Sequence, residues 1–411
     1  MKKKLENRKN NKSIIVSTLI FVITFIAMAG YLIYFNLTQA ESIINNSYNK
    51  RQGVLSRRTI RGSILSDDKT KLAVTNVDDD GNETRYYPYS GLFSHTIGYL
   101  NNGGYGLESL YGYYMLHSNQ NFFEQIGNDL SGNRNTGDNV VTTLNVGLQK
   151  ACYDALGSNR GAVIVMEPST GKILAMVSKP DFDPNTLAAN WSQITGEGSD
   201  SVLVNRATQG LYPPGSTFKL ITMLEYLREH KNDYGQYHYI CDGTYELGNN
   251  TINCVRTTAH GDVDLFSSLA VSCNCSFINI GLSLDLDRYK KTAEKMLFNK
   301  ELPTNLEYNK SRFVLNGESS EWDIAQTSFG QGKTVITPFH LALITCTIAN
   351  NGTLMEPYLV SSVESTNGMT VKKFKEEKYD TLITEKEASL LKKGMEQVVK
   401  DSFSWLFGGV E

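Results

Sequence analysis

A basic N-terminal tail followed by a long uncharged segment places the first constraint on this chain. Residues 1–12 carry six lysines and arginines against one acid, and the segment from Ser13 to Phe35 carries no charged residue. As a helix this segment would span about 34 Å, enough for a hydrocarbon core of about 30 Å. Positive charge before the segment keeps the N-terminus in the cytoplasm. We therefore expect a cytoplasmic tail over 1–12, a single-pass membrane anchor over 13–35 and an extracytoplasmic body.

The alternative for this segment is a cleaved signal peptide, because Ala27-Met28-Ala29 resembles a small-residue cleavage site. The apolar run continues from Tyr31 to Phe35, where a signal peptide would already be polar, and this favours the uncleaved anchor.

The whole chain has 411 residues, which is long enough for two domains. Its net charge of -3, without a basic patch interleaved with aromatic residues, indicates no nucleic-acid partner.

Hydrophobic patterning divides the body into two parts. The stretch from Gly127 to Asp138 is rich in Gly, Asn and Asp, so we place a boundary after it, between an N-terminal domain over 36–138 and a second domain over 139–411. Gly161 to Met166 is a continuous apolar run that, with a second strand from Lys172 to Val177, predicts a hairpin covered on both faces. The second domain is therefore expected to be an α/β sandwich of helix, sheet and helix.

The stretch Pro213-Pro214-Gly215-Ser216 leads into a helix that carries a serine and a lysine at its exposed start. Lys219 lies one turn after Ser216, on the same face. A serine is a poor nucleophile unless a base takes its proton, and a partly buried lysine can do so. For this tetrad alone the alternative stays open that Ser216 only caps the helix and Lys219 is solvated, because Ser-x-x-Lys recurs by chance.

A second motif, Ser272-x-Asn274, makes the first one far more specific. Together they match two of the three motifs of serine acyl-transfer enzymes that act on D-Ala-D-Ala peptides and β-lactams. Further segments are similar to penicillin-binding proteins: Gly161 to Met176, Asn205-Arg206-Ala207, His260-Gly261, Ser272-Cys273-Asn274, and Gly330-Gln331-Gly332 with Thr337-Pro338. The sequence most resembles the monofunctional class B transpeptidases. Arg61-Gly62-x-Ile64 and Gly106-Leu107-Glu108 resemble segments of that family's non-catalytic, dimerisation-like domain.

This resemblance implies a peptidoglycan D,D-transpeptidase that binds stem peptides and β-lactams. Ser216 would be the nucleophile, Lys219 its base, Ser272 a proton relay and Asn274 a substrate-binding residue. The backbone N–H of Ser216 would supply half of the oxyanion hole. Its partners would be a glycosyltransferase or proteins of division or elongation. Two alternatives remain: a β-lactamase or β-lactam sensor, and a non-catalytic scaffold that binds partners through residues 36–138.

The sequence departs from the family pattern at the third motif, Lys-Thr-Gly, which it does not contain. Lys333-Thr334 is followed by Val335 and stands where the family has a loop leading into a helix, so we interpret it as coincidence. In the family the third motif follows a helix like Glu385 to Lys400, and this sequence ends at Glu411, about where that strand would begin. We therefore expect a C-terminally incomplete domain, and expect a 411-residue product to be inactive and poorly stable.

Cysteine and histidine spacing predicts no metal site, and no cofactor is expected. Cys241 and Cys254 bracket a loop rich in Gly and Asn and could form a disulfide in an oxidising compartment. Cys273 and Cys275 are two residues apart and would point to different sides of a helix, so no bond between them is expected.

Overall fold

The computed structural model describes residues 2–38, 56, 59–196 and 199–407. Most of the segment 39–58, which belongs to the expected N-terminal domain, and the last residues from 408 lie outside the described part. The helices are α1 (Lys2–Thr38), α2 (Ser94–Ile97), α3 (Gly106–Leu110), α4 (Gly112–Met115), α5 (Phe122–Leu130), α6 (Val146–Leu156), α7 (Trp191–Thr195), α8 (Lys219–Glu229), α9 (Leu265–Ala270), α10 (Asn274–Ser283), α11 (Leu286–Lys295), α12 (Glu321–Ser328), α13 (Pro338–Ala349), α14 (Glu385–Ser402) and α15 (Ser404–Phe407). The strands are β1 (Thr59–Ile60), β2 (Ile64–Leu65), β3 (Lys71–Val77), β4 (Glu83–Tyr86), β5 (Asn135–Thr136), β6 (Asn139–Thr142), β7 (Gly161–Met166), β8 (Ile173–Lys179), β9 (His238–Cys241), β10 (Thr244–Leu247), β11 (Asn250–Asn253), β12 (Gly261–Asp264), β13 (Thr353–Met355), β14 (Val360–Glu364), β15 (Thr370–Lys373) and β16 (Lys378–Thr381).

Helix α1 contains the uncharged segment found in the sequence. Its stretch Ile14–Phe35 has a mean hydropathy of 2.3 and is not covered by any described part of the protein. This stretch is long and apolar enough to cross a membrane. The single apolar helix expected at the N-terminus is therefore present, whereas the side on which each end lies stays a prediction.

A six-stranded sheet in the order β15-β14-β6-β2-β3-β4 connects distant parts of the chain. Strands β2 and β6 are parallel, with Ile64 opposite Val140, and the other pairs are antiparallel. Ile64, Val140 and Val363 are fully buried on this sheet. Because the sheet contains strands from both sides of the boundary expected after residue 138, that boundary stays a prediction.

The hairpin expected in the second domain is confirmed. Strands β7 and β8 pair antiparallel, with Val163 opposite Val177. Helix α6 packs against β8 and helix α13 packs against β7. The α/β combination of helices and sheet predicted from the unbroken apolar run is thus observed.

Helix α8 lies at the centre of the helical part and contacts α10, α11 and α14. Ile221, Leu224 and Leu227 of this helix are buried. Burying three aliphatic side chains of this size stabilises the fold by about 1.5–3 kcal/mol each. The start of α8 is therefore held firmly where it meets the surface.

Candidate active site

Ser216 lies in a short 3-10 turn, Gly215–Phe218, that continues directly into α8. A tighter turn of this kind is frequent at helix N-termini. Phe218 is buried, with its ring centroid 5.5 Å from that of Phe298 and 6.0 Å from that of Phe313. The buried phenylalanine anchors the turn and leaves the Ser216 side chain exposed to solvent.

Gly330 supports this turn from behind. The N–H of Gly215 donates a hydrogen bond of 2.8 Å to the carbonyl oxygen of Gly330. Gly330 has a φ of +84°, and a Cβ atom there would lie 1.8 Å from the carbonyl oxygen of Gly215. Only glycine permits both the left-handed backbone and the close approach. The Gly330-Gln331-Gly332 segment noted in the sequence thus fixes the backbone beside Ser216.

Lys219 is fully buried, and its ammonium group is saturated with hydrogen bonds. Nζ donates to the carbonyl oxygen of Ser272 at 2.7 Å, to Ser272 Oγ at 3.0 Å and to Asn274 Oδ1 at 2.9 Å. Burial lowers the pKa of Lys219 to about 8, because desolvation disfavours the charged form. A neutral amine is therefore accessible near physiological pH.

Ser272 lies between Lys219 and Ser216. Its Oγ donates a hydrogen bond of 2.8 Å to Ser216 Oγ. Ser272 has a φ of 53°, an unfavourable conformation for a serine, in the turn between α9 and α10. Such strain persists only where the surroundings hold it. The sequence predicted a lysine one turn from the serine, and the structure places a second hydroxyl between them.

Asn274 begins α10 and is held at both ends of its amide group. Its Oδ1 accepts from Lys219 Nζ, and its Nδ2 donates to the carbonyl oxygen of Asn253 at 3.0 Å. In this arrangement Asn274 orients the lysine. The substrate contact expected for Asn274 stays a prediction, as do the roles of the other three residues, but all four lie in one hydrogen-bonded group.

A cavity of about 540 Å³ opens beside Ser216 and Ser272. Its other walls are mostly apolar and come from α8, α9 and α14, with Leu220, Leu269 and Met395 among them. The Ser216 hydroxyl therefore lies beside a space large enough for a small-molecule acyl donor.

Three cysteine sulfurs and one histidine nitrogen come together next to the Ser272-x-Asn274 turn. The sequence did not predict this cluster. Cys241 Sγ lies 3.8 Å from Cys254 Sγ and 3.5 Å from His260 Nδ1, and Cys254 Sγ lies 3.8 Å from Cys273 Sγ. The cysteines are free thiols, so Cys241 and Cys254 do not form the disulfide that their spacing allowed. The side chain of Cys275 joins the cluster 3.4 Å from Cys254 Sγ, although its spacing from Cys273 predicted a different direction.

The absence of a metal, expected from the Cys/His spacing, stays a prediction, although the fold brings four such donors together. The donor atoms of Cys241, Cys254, His260 and Cys273 all lie within 4.8 Å of one another, an arrangement that could hold a metal ion. The sequence signal was present as four soft donors within residues 241–273, immediately before and inside the second motif. The spacing alone does not predict the cluster, because the donors meet only after strands β9 to β12 have folded.

Two family models match this chain. The penicillin-binding protein transpeptidase domain matches residues 161–405. The penicillin-binding protein A dimerisation domain matches residues 61–140. The first match contains Ser216, Lys219, Ser272 and Asn274.

Curated relatives and solved structures agree with these matches. The peptidoglycan D,D-transpeptidase PbpA of Mycolicibacterium smegmatis is 31% identical over 71% of this chain and 61% of that protein. PbpA of Mycobacterium tuberculosis is 35% identical over 59% of this chain and 52% of that protein, so the matched part spans little more than half of these relatives. The imipenem acyl-enzyme complex of M. tuberculosis penicillin-binding protein A has a TM-score of 0.76 at 28% identity, covering 84% of each chain. The D,D-transpeptidase domain of an Eggerthella lenta peptidoglycan glycosyltransferase has a TM-score of 0.74 at 30% identity, covering 84% of this chain and 82% of that one.

Proposed function

This chain belongs to the penicillin-binding protein transpeptidase family, and on that premise we propose that it is a peptidoglycan D,D-transpeptidase acylated on Ser216. The observation that carries the proposal is the hydrogen-bonded chain of Lys219 Nζ, Ser272 Oγ and Ser216 Oγ, with distances of 3.0 and 2.8 Å. This chain links the exposed hydroxyl to a buried amine. Nucleophile, relay and base are thereby assigned to three groups that already touch.

In the first step Ser216 Oγ attacks the carbonyl carbon between the two D-alanines of a stem peptide. Its proton passes through the Ser272 hydroxyl to the neutral amine of Lys219. The N–H of Ser216 stabilises the negative charge on the carbonyl oxygen, and one such donor is worth about 3–4 kcal/mol. Because the pKa of Lys219 is lowered to about 8, the amine can take the proton at neutral pH.

In the second step the C–N bond breaks and the terminal D-alanine leaves. Its nitrogen receives the proton that returns from Lys219 through Ser272, and the acyl-enzyme ester on Ser216 remains. An amine of a second peptidoglycan strand attacks this ester and forms the cross-link. A β-lactam enters the same first step, but its opened ring stays attached and the ester persists.

Domain order and membrane attachment complete the proposal. Residues 13–35 anchor the chain, the 1–12 tail is cytoplasmic, residues 36–138 form a dimerisation-like pedestal and the catalytic part begins at 139. Helix α1 and the dimerisation-domain match over 61–140 support this division. In such an arrangement a glycosyltransferase or proteins of division or elongation would contact the pedestal.

The test is covalent labelling of the full-length membrane protein with a fluorescent penicillin. Ser216→Ala should abolish labelling, because no hydroxyl remains to form the ester. The matched control is Thr217→Ala, which removes the adjacent exposed hydroxyl that donates a hydrogen bond of 2.7 Å to the Pro214 carbonyl oxygen. Labelling that survives in Ser216→Ala overturns the nucleophile assignment, whereas an unlabelled wild-type protein that still binds cell-wall partners indicates a scaffold.

A further inference from the structure

A cavity of about 350 Å³ lies among residues that the proposed reaction does not use. It shares no lining residue with the cavity beside Ser216. The side chains of Arg61, Arg85 and Tyr87 line it and are buried. Asn101 also lines it and is exposed, so the cavity has a buried polar part and an open side. Its volume is sufficient for a small molecule.

The buried part of this cavity carries more positive than negative charge. Arg61 Nε and Arg85 Nε donate to the two oxygens of Glu108, at 2.8 and 2.7 Å. Two guanidinium cations therefore share one carboxylate. Glu83 also lines the cavity, but its carboxylate is paired with Arg134 at 2.5 Å. Among these side chains one positive charge is left without a counter-charge.

Two hydrogen-bond donors on this cavity have no partner among the residues that the structure describes. Tyr87 is 5% exposed and its hydroxyl makes no hydrogen bond there, while both oxygens of Glu108 accept from the guanidinium groups. Arg61 donates from Nε and Nη2, which leaves Nη1 for a ligand. Burial raises the pKa of the Tyr87 hydroxyl, so this group keeps its proton and can donate it. Buried donors without an acceptor are unfavourable, and a ligand that accepts from both would remove that cost.

Asn185 joins this cavity to the part of the chain that contains Ser216. Its Nδ2 donates to the carbonyl oxygen of Tyr87 at 3.0 Å, and its Oδ1 accepts from the N–H of Tyr87 at 2.9 Å. Tyr87 lies in the segment that matches the dimerisation domain, whereas Asn185 lies in the segment that matches the transpeptidase domain. A ligand beside Tyr87 should therefore stabilise the contact between the two segments.

The charge of the cavity selects among its possible occupants. Water can accept from the two donors, but it does not neutralise the excess positive charge. A carboxylate does both, because its two oxygens match the geometry of a guanidinium group and it carries one negative charge. A phosphate dianion would exceed the charge available. A free amino acid would bring an ammonium group beside two guanidinium groups, whereas a peptide end has no such cation.

We propose that this cavity binds the carboxylate end of a short peptide, with Arg61 Nη1 and the Tyr87 hydroxyl donating to the carboxylate oxygens. The side chain of Asn101, at the open side, is placed to bind the backbone amide of the peptide. This is a second peptide site, separate from the one that holds the acyl donor beside Ser216.

The experiment is a calorimetric titration of the full-length protein in detergent with N-acetylglycylglycine. The wild type should bind one peptide per chain, and should bind the C-terminal amide of the same peptide at least tenfold more weakly, because the amide has nearly the same size without the charge. This comparison needs no variant.

Tyr87→Phe removes only a hydroxyl that has no partner among the described residues, so the fold should persist. Its affinity for the peptide acid should fall about tenfold, as expected for one hydrogen bond to a charged group. The matched control is Tyr86→Phe, because the side chain of Tyr86 is exposed and does not line the cavity. This control should bind like the wild type.

The peptide acid should also raise the melting temperature of the wild type, and raise it less in Tyr87→Phe. Absence of both the binding heat and this shift would show that the cavity holds only water, and overturns the proposal. Equal affinity for acid and amide, or for wild type and Tyr87→Phe, overturns it as well. So does inorganic phosphate or free glycine that binds as tightly as the peptide acid. Ser216→Ala should bind the peptide acid like the wild type, so the result is independent of whether the chain is a transpeptidase.

Discussion

The carbonyl oxygen of Gly330 accepts a hydrogen bond of 2.8 Å from the N–H of Gly215, the residue just before Ser216. A side chain on Gly330 would overlap the backbone of Gly215. Ser216 is therefore held both by α8, into which its turn continues, and by the hydrogen bond to Gly330.

Gly330→Ala should displace the nucleophile turn. The new Cβ atom would lie 1.8 Å from the Gly215 carbonyl oxygen, so the backbone must move. We expect the second-order rate constant of penicillin acylation to fall at least tenfold. The control is Gly81→Ala, which has a similar φ of +82° but open space around it. Both variants carry a backbone cost of about 1–2 kcal/mol, so an equal effect on acylation in both would contradict the steric explanation.

Acylation of Ser216 should depend on pH through Lys219. In the proposed mechanism the neutral amine is the base, and burial lowers its pKa to about 8, so the acylation rate should rise as pH increases and level off above that value. Lys219→Arg keeps the charge but cannot accept the proton, and should slow acylation by about 10²–10⁴-fold. The measurement is the acylation rate of the wild type from about pH 6 to pH 10. A rate that is still rising steeply at pH 10, as the ordinary lysine pKa of about 10.4 requires, would show that burial does not lower the pKa of this amine.

Removing the charge of Glu108 should locally unfold residues 61–140, the part that matches the dimerisation domain. Glu108 is buried between Arg61 Nε at 2.8 Å and Arg85 Nε at 2.7 Å. Burial alone would raise the pKa of Glu108, but the two guanidinium groups outweigh it and hold the pKa below its usual value. The stabilisation is therefore present at neutral pH and is lost as pH falls through that lowered pKa. Glu108→Gln leaves two buried cations without a counter-charge, which costs about 3–5 kcal/mol.

Thermal unfolding in detergent and limited proteolysis of the N-terminal domain measure this loss. The control is Asp154→Asn, which breaks an exposed ion pair with Lys150. Exposed pairs contribute less than about 1 kcal/mol, so the control should behave like the wild type. Equal stability of Glu108→Gln and the wild type would contradict a structural role for the buried charge.

Local patterns predicted the elements that depend on nearby residues. The β7–β8 hairpin follows from an unbroken apolar run. The exposed serine at the start of a buried helix follows from the Pro-Pro-Gly stretch and from the apolar side chains of the helix after it. Only the family resemblance predicts that Ser272 lies close to Lys219, because the sequence spacing of the two motifs does not fix their distance in space.

Features that depend on contacts between residues distant in sequence could not be predicted. Cys241 and Cys273 meet only after the three strands between them, β10 to β12, have folded, and spacing rules for short metal motifs do not cover that case. Asn274 has both amide ends occupied by protein groups, which a motif cannot reveal. The division at residue 138 follows composition, but the six-stranded sheet continues across it through hydrogen bonds that composition does not encode.

That sheet also delays folding during synthesis. Strand β2 pairs with β6, and β6 has its second neighbour in β14, which begins at Val360. Strands made early therefore keep an unpaired edge until a much later part of the chain has been synthesised. During that interval the edge is open to aggregation and to proteases, so the yield of this protein should depend on chaperones that shield nascent strands.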